Sequence, residues 1–192
     1  MLDRIDTLNR ERRQEASESG QAFIAIEVGI GINTGPCVVG NMGSDLRFDY
    51  SVLGDSVNLA SRLEGQCKTY GLPIVVGAAT AEAAKDQFAL IEIDFITVKG
   101  KKEPEVVYAV LGRDDMRTSD RFQRLSALTQ RLLSCYRGRD WVSALAAIVE
   151  ARTCDGEGRL ATLFDLYAGR IQAFQASPPP DEWDGVYALQ TK

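Results

Sequence analysis

The sequence contains no histidine among its 192 residues. This absence excludes Ser/His/Asp hydrolysis, papain-like cysteine chemistry and zinc sites that need histidine ligands. Any chemistry at this protein must therefore use carboxylate, amide, guanidinium, ammonium or backbone groups.

Cysteine and long apolar runs are also scarce. The four cysteines (Cys37, Cys67, Cys135 and Cys154) lie far apart without a CxxC pair, which indicates reduced thiols in a cytoplasmic setting. No apolar run is long enough to cross a bilayer, and the first residues do not open a signal peptide. The net charge of -5 argues against broad binding to nucleic acid, although it allows one small anion in a local basic pocket.

The first part of the chain alternates between strand-like and helix-like patterns, which predicts an α+β layer of helices on a sheet. In chain order we expect a lead-in helix (2–18), an inner strand (23–32), a hairpin (37–42 and 48–53), a helix capped by Asp55 (55–70), a short strand (74–76), an alanine-rich helix (80–86) and two further strands (90–98 and 106–111).

Beyond Gly112 the pattern is helical only, with three apolar stripes that predict three helices. The stripes are Leu125, Leu128, Leu132 and Leu133; Trp141, Leu145 and Ile148; and Leu160, Leu163, Phe164, Tyr167 and Ile171. Two such helices with a short break resemble one tetratricopeptide unit. The predicted organisation is a lead-in helix (1–20), an α+β domain (21–112), a polar linker (113–120) and a helical, TPR-like extension with an extended tail (121–192).

Two groups of polar residues are candidates for phosphate chemistry. Asn58 and Arg62 lie four positions apart on one predicted helix, so they share a face that suits a phosphate transition state. The alternative is a solvated face on which Arg62 pairs with a carboxylate. Lys99 and Lys101 belong to the basic turn "VKGKKEP", which is suited to a triphosphate or is simply an exposed hairpin tip.

The glycines of "GIGINTG" do not match a dinucleotide fingerprint, because their spacing is wrong and no helix follows directly. We expect them instead to let a neighbouring element approach a strand closely.

Taken together, "VGIGINTGPCVVGNMGSDLRFDYSVLGDSVNLASRLEG" and the later "ITVKGKKEPEVVYAV" resemble the C-terminal half of a class III adenylate/guanylate cyclase catalytic domain. The resemblance covers about residues 23–112, and the remainder looks like a helical extension of bacterial cyclases. It implies a ferredoxin-like, palm-like α+β fold and conversion of ATP to 3′,5′-cyclic AMP and pyrophosphate.

The same resemblance assigns roles to particular residues. Ser51 falls at the position that reads the purine, where serine favours adenine over guanine. Asn58 would orient the ribose, and Arg62 would stabilise charge as the 3′-hydroxyl attacks the α-phosphorus. Lys99 would contact the terminal phosphates, with Lys101 as a second candidate.

The resemblance also implies Mg²⁺ or Mn²⁺, two metal-binding aspartates and a base-reading lysine, all from a part of the family domain that precedes the matched region. We therefore expect no metal ligands in this chain. A missing N-terminal half or a partner chain is expected to supply them. Because the family's site forms between two subunits, a homodimer or a cyclase partner chain is expected. Alone, the chain is expected to be inactive.

Three other functions remain open at this stage. A non-catalytic regulatory protein would dock through a cyclase-like surface. A guanylate cyclase would share all the motifs but read guanine. An unrelated palm-like phosphotransferase fits the motifs less well than a cyclase does.

Overall fold

A computed structural model describes residues 1–44, 47–97 and 104–188. Its elements in chain order are α1 (Leu2–Ser19), β1 (Ile30–Ile32), β2 (Val38–Ser44), β3 (Arg47–Leu53), α2 (Asp55–Tyr70), β4 (Ile74–Gly77), α3 (Ala78–Ala84), β5 (Phe88–Thr97), β6 (Glu105–Arg113), α4 (Asp114–Arg117), α5 (Asp120–Arg137), α6 (Trp141–Cys154), α7 (Ala161–Ala176) and β7 (Tyr187–Ala188). The fold is α+β, as predicted.

The main sheet has five strands in the order β1-β4-β6-β5-β7. β1 runs parallel to β4, β6 runs antiparallel to both β4 and β5, and β7 runs parallel to β5. The strands β2 and β3 form a separate antiparallel hairpin, confirming the predicted pair.

The predicted inner strand over residues 23–32 is wrong in length and in place. Only Ile30–Ile32 pair, on one side, with Ile74–Val76, so β1 is an edge strand of the described sheet. The short β4 offers no partner to the residues before Ile30, and Ile24 is 84% exposed. Instead, the Asn9 side chain of α1 donates to the Ile26 carbonyl oxygen and accepts from the Ile26 N–H.

Two local details of the helices also differ from expectation. Gly54, not Asp55, is the N-cap of α2, and Asp55 is the first helical residue. The alanine-rich helix begins at Ala78 instead of residue 80. The end of α2 is as predicted, because Gly71 takes the left-handed conformation (φ 67°) that stops a helix without a Cβ penalty.

The helical part packs on the sheet and shares one apolar core with it. Buried residues of β4, β5 and β6 belong to the same cluster as buried residues of α2, α5, α6 and α7. The predicted stripes contribute directly, since Leu132, Leu163, Phe164 and Ile171 are fully buried and Trp141 packs against the core.

The tail after α7 returns to the sheet. Trp183 packs among the rings of Tyr136, Trp141 and Phe174. The Arg139 guanidinium donates to the carbonyl oxygens of Pro180 and Asp181. The sequence predicted an extended tail but not that β7 would add to the sheet beside β5.

Candidate functional site

Three residues with predicted roles, Ser51, Asn58 and Arg62, lie on the hairpin and on the helix that follows it. Ser51 is in the middle of β3, directly opposite Gly40 of β2, and it is exposed. Gly54 joins β3 to α2 with φ 158° and ψ 155°, and a Cβ there would lie 3.0 Å from the Pro36 carbonyl oxygen. Glycine therefore allows the helix to start immediately beside the base of the hairpin.

Asn58 lies at the start of α2, and Arg62 lies one turn further along the same face. Asn58 is exposed and Arg62 is half-buried. Within the described ranges, neither side chain makes a hydrogen bond or an ion pair with another residue, so the alternative in which Arg62 pairs with a carboxylate finds no support there. The amide and the guanidinium are both available to a ligand.

The first turns of α2 are held firmly against β1 and the turn after it. A Cβ on Gly31 would lie 2.1 Å from the Ala60 carbonyl oxygen, so only glycine permits this approach of strand and helix. The Asn33 side chain donates to the Ser56 carbonyl oxygen at 3.1 Å. This confirms the prediction that the glycine-rich segment serves close packing, and it adds Asn33 as a support that the sequence showed only as a turn residue.

Lys99 and Lys101 lie outside the described residues, which stop at Thr97 and resume at residue 104. The described part of the chain places no group of three or more Cys, Asp or Glu side chains where they could hold a metal ion. The described residues therefore do not fit a divalent metal, and the predicted site residues among them are Ser51, Asn58 and Arg62.

A buried polar cluster, which sequence reasoning missed, centres on Asp94 of β5. Asp94 is only 1% exposed, and its carboxylate accepts from Tyr70, Tyr167 and Arg170. Burial and the negative charge of Asp94 raise the pKa of the Tyr70 and Tyr167 hydroxyls well above their usual value. Burial alone would lower the pKa of the Arg170 guanidinium, but the charge and hydrogen bond of Asp94, together with Tyr167 and Tyr70, outweigh it and raise that pKa.

Two sequence signals point toward this cluster. Asp94 is an acidic residue inside the apolar run "LIEIDFITV", and Arg170 is a basic residue beside the third apolar stripe. Buried charges are rare unless paired, so two such charges on separate elements suggest a pair. Neither signal alone identifies the partner.

The hairpin carries apolar side chains on both of its faces. Val38 and Leu53 are cross-strand partners, and Asn41 is opposite Tyr50, which is 77% exposed. An isolated two-stranded sheet is only marginally stable in water, and an exposed apolar surface of this kind is typical of an interaction site.

Residues 1–112 match the profile of the family described as the adenylate and guanylate cyclase catalytic domain. The chain belongs to this family. Among similar proteins is the terminal-differentiation-specific adenylate cyclase of Dictyostelium discoideum, which is 42% identical over 106 residues; the match covers 53% of this chain and 5% of that protein. An adenylate cyclase of Anabaena cylindrica is 38% identical over 113 residues, covering 57% of this chain and 22% of that protein.

Solved cyclase structures are also similar to about half of this chain. The guanylyl cyclase Cya2 is 40% identical, with 55% of this chain and 51% of that chain covered and a TM-score of 0.45. The adenylyl cyclase CyaB from P. aeruginosa is 37% identical, with 52% and 49% covered and a TM-score of 0.43. This member of the cyclase family thus spans less than a quarter of the two curated relatives and about half of each solved chain. Among its described helices, none has the length and apolar character needed to span a membrane.

Proposed function

We propose that this chain contributes the nucleotide-contacting side of an adenylate cyclase site, which converts ATP to 3′,5′-cyclic AMP and pyrophosphate. The observation that carries the proposal is the arrangement of Asn58 and Arg62. They are two unpaired donor side chains on one face of α2, immediately after the strand that carries Ser51.

The reaction explains why these side chain types are suitable. The ribose 3′-oxygen bonds to the α-phosphorus while the bond from that phosphorus to the leaving pyrophosphate oxygen breaks. Negative charge grows on the phosphoryl and leaving oxygens in the transition state, and a positioned guanidinium stabilises such charge. In this proposal Arg62 does so, Asn58 holds the ribose, and Lys99 and Lys101 contact the terminal phosphates.

Adenine is the proposed base because serine stands at position 51. Its hydroxyl is one donor and two acceptors, so it can bind either purine edge, and a guanylyl cyclase is among the similar structures. We therefore take guanylate cyclase activity as the second candidate. Ser51→Cys is expected to change the ATP-to-GTP preference more than the rate with the better substrate.

A partner chain completes the proposed site, either a second copy or another cyclase chain. The exposed apolar surface of the hairpin supports an interface there, next to Ser51. Mg²⁺ or Mn²⁺ would be held by groups outside the described residues, since these bring no ligand set together.

Complementation of a defective partner tests the proposal. A cyclase-family catalytic domain that retains its metal-binding aspartates, but lacks its own Asn/Arg pair, is mixed with this chain, with ATP and with Mn²⁺. We expect cyclic AMP from the mixture and much less from either protein alone.

The decisive variant in this mixture is Arg62→Ala. It is expected to lower kcat by roughly 10²–10³-fold, the usual loss for one donor of a preorganised anion site, with little change in KM. Lys68→Ala, an exposed cation later on the same helix, is the matched control and should leave kcat unchanged. A complex that forms but turns over no nucleotide would support a regulatory, non-catalytic role instead.

A further inference from the structure

The carboxylate of Asp94 connects three elements that are distant in the sequence. Tyr70, the last residue of α2, donates to Oδ2 at 2.9 Å. Arg170 of α7 donates from Nη1 to the same oxygen at 2.7 Å. The Tyr167 hydroxyl, one turn earlier on α7, lies 2.9 Å from Oδ1. Two helices are thus attached to one side chain of β5.

An irregularity in β5 produces this arrangement. The register between β5 and β6 shifts between Glu92 and Asp94, so Ile93 has no partner residue on β6. Ile93 and Asp94 are consequently both buried, where a regular strand would expose one of them. The Tyr167 hydroxyl also lies 2.9 Å from the carbonyl oxygen of Ile93, the residue without a partner on β6. A side chain of α7 therefore contacts a backbone polar group at the irregularity.

Asp94 joins one of these helices, α2, to the strand β5. α2 carries Asn58 and Arg62, and β5 leads in the sequence to Lys99 and Lys101. Arg62 precedes Tyr70 by about 12 Å along one continuous helix. If the C-terminal end of α2, at Tyr70, shifts relative to β5, Arg62 therefore shifts relative to β5 as well.

We propose that Tyr70, Tyr167 and Arg170 are positioning residues for the nucleotide site, and that α7 sets the placement of α2 against β5 through Asp94. This inference rests on the proposed function. It assigns the helical extension a task in that function, namely to hold the Asn58–Arg62 face of α2 in position against β5.

The chemistry of the cluster suits the alignment of α2 and α7 on β5 better than a purely stabilising role. Apolar residues of similar volume often replace a buried ion pair without loss of stability, whereas hydrogen bonds to a carboxylate fix direction and distance. The tail adds to the same cluster, because the Arg170 guanidinium lies 3.6 Å from the centre of the Tyr187 ring of β7.

Removal of single hydroxyl groups tests the inference with little disturbance of packing. Tyr70→Phe detaches α2 from Asp94 and leaves the Asp94–Arg170 pair in place, while Tyr167→Phe weakens the attachment of α7. Tyr108→Phe is the matched control, since Tyr108 of β6 is half-buried and its hydroxyl makes no hydrogen bond with another described residue.

The kinetic readout is turnover in the complemented cyclase, per folded molecule and well below the melting temperature of every variant. Tyr70→Phe and Tyr167→Phe are each expected to lower kcat roughly 10- to 100-fold, the effect of a misplacement of about 1 Å, with KM changed less than about twofold. The double variant should lose little more than either single variant, because both substitutions break the same connection. Tyr108→Phe should match the wild type.

Hydrogen exchange of the isolated chain gives a second readout that needs no catalysis. Amides in the C-terminal half of α2 should exchange faster in Tyr167→Phe than in Tyr108→Phe at equal global stability. Unchanged exchange, or kcat values that follow melting temperature alone, would overturn the inference. Faster exchange with no turnover by the wild-type complex would instead overturn the proposed function and the site role, while the connection from α7 to α2 stands.

Discussion

At the scale of single residues, two arginines differ in environment, and the difference separates the proposed ligand contact from a structural residue. Arg62 is half-buried and unpaired among the described residues, so its guanidinium is free to bind a phosphate group. Arg170 is 5% exposed and bound to Asp94. We expect removal of Arg62 to leave the fold intact and, in the proposed site, to lower turnover. Removal of Arg170 should leave a buried carboxylate without its countercharge, which is strongly destabilising.

The buried tyrosines around Asp94 make the fold sensitive to alkaline pH. The pKa of Tyr70 and Tyr167 is raised in the folded state, so the unfolded chain loses these protons first, from about pH 10. Their contribution to stability is complete below that pH and is lost as the pH rises toward the folded-state pKa. The free energy of unfolding should fall by about 1.4 kcal/mol per pH unit for each tyrosine.

Urea unfolding between pH 9 and 11.5 measures this slope. Tyr70→Phe should remove one tyrosine's share of it, whereas Tyr50→Phe, at a site 77% exposed, should leave it unchanged. Equal slopes for the wild type and Tyr70→Phe would contradict the assignment.

At the scale of elements, β1 and α2 approach each other so closely that a side chain on Gly31 would meet the helix backbone. Gly31→Ala would place a Cβ 2.1 Å from the Ala60 carbonyl oxygen and 2.3 Å from the Glu64 nitrogen. Because both atoms belong to the backbone of a helix, we expect a loss of about 3 kcal/mol, at the upper end of overpacking costs.

Gly65→Ala is the internal control for that substitution. Gly65 lies within α2 and has no atom within 4 Å of an added Cβ, so alanine should raise stability by about 0.8 kcal/mol through helix propensity. Urea midpoints measure both changes in stability, provided that the slope of the free energy of unfolding against urea concentration is unchanged. A neutral Gly31→Ala would mean that the strand and helix are further apart than described.

The hairpin is the other element with a testable role. Tyr50→Glu places a charge on its exposed apolar surface and should weaken self-association or partner binding at least about tenfold, since an uncompensated charge at an interface is costly. Val142→Glu, at a site 78% exposed on α6, is the control. Sedimentation equilibrium distinguishes the two, and equal association constants would place the interface elsewhere.

The elements were more predictable from the sequence than their contacts were. Local signals predicted the hairpin and the end of α2, because turn residues and a C-terminal glycine act within a few positions. They failed for residues 23–29, whose apolar pattern suits a strand but whose neighbour β4 is too short to pair with them. The Asn58–Arg62 face follows from helical spacing, whereas the Asp94 cluster joins residues 24 and 76 positions apart, which no local pattern specifies.

At the scale of the whole molecule, the boundary predicted at residues 113–120 runs through a region where the core is continuous. Buried residues on both sides of that boundary belong to one cluster, and α4 occupies Asp114–Arg117. We therefore expect the chain to unfold in one cooperative transition instead of two.

Both tryptophans, Trp141 and Trp183, lie in the helical part and report on it by fluorescence. Protection of β4 and β6 amides reports on the sheet. The urea midpoint measured by tryptophan fluorescence should coincide with the midpoint measured by amide protection. Loss of tryptophan signal while β4 and β6 stay protected would show two independent units.

The parallel pairing of β7 with β5 also has a consequence for the order of folding. Ile96 and Tyr187 are about 90 residues apart, and closing so long a loop costs about 4 kcal/mol of chain entropy beyond a constant. The pair therefore forms late, after α5, α6 and α7 have shortened the effective loop, and β5 keeps an open edge until then. Contacts that form after the transition state slow unfolding without speeding folding. We therefore expect the tail to slow unfolding of the native state, and its pairing with Ile96 and Thr97 protects that end of the β5 edge from intermolecular pairing.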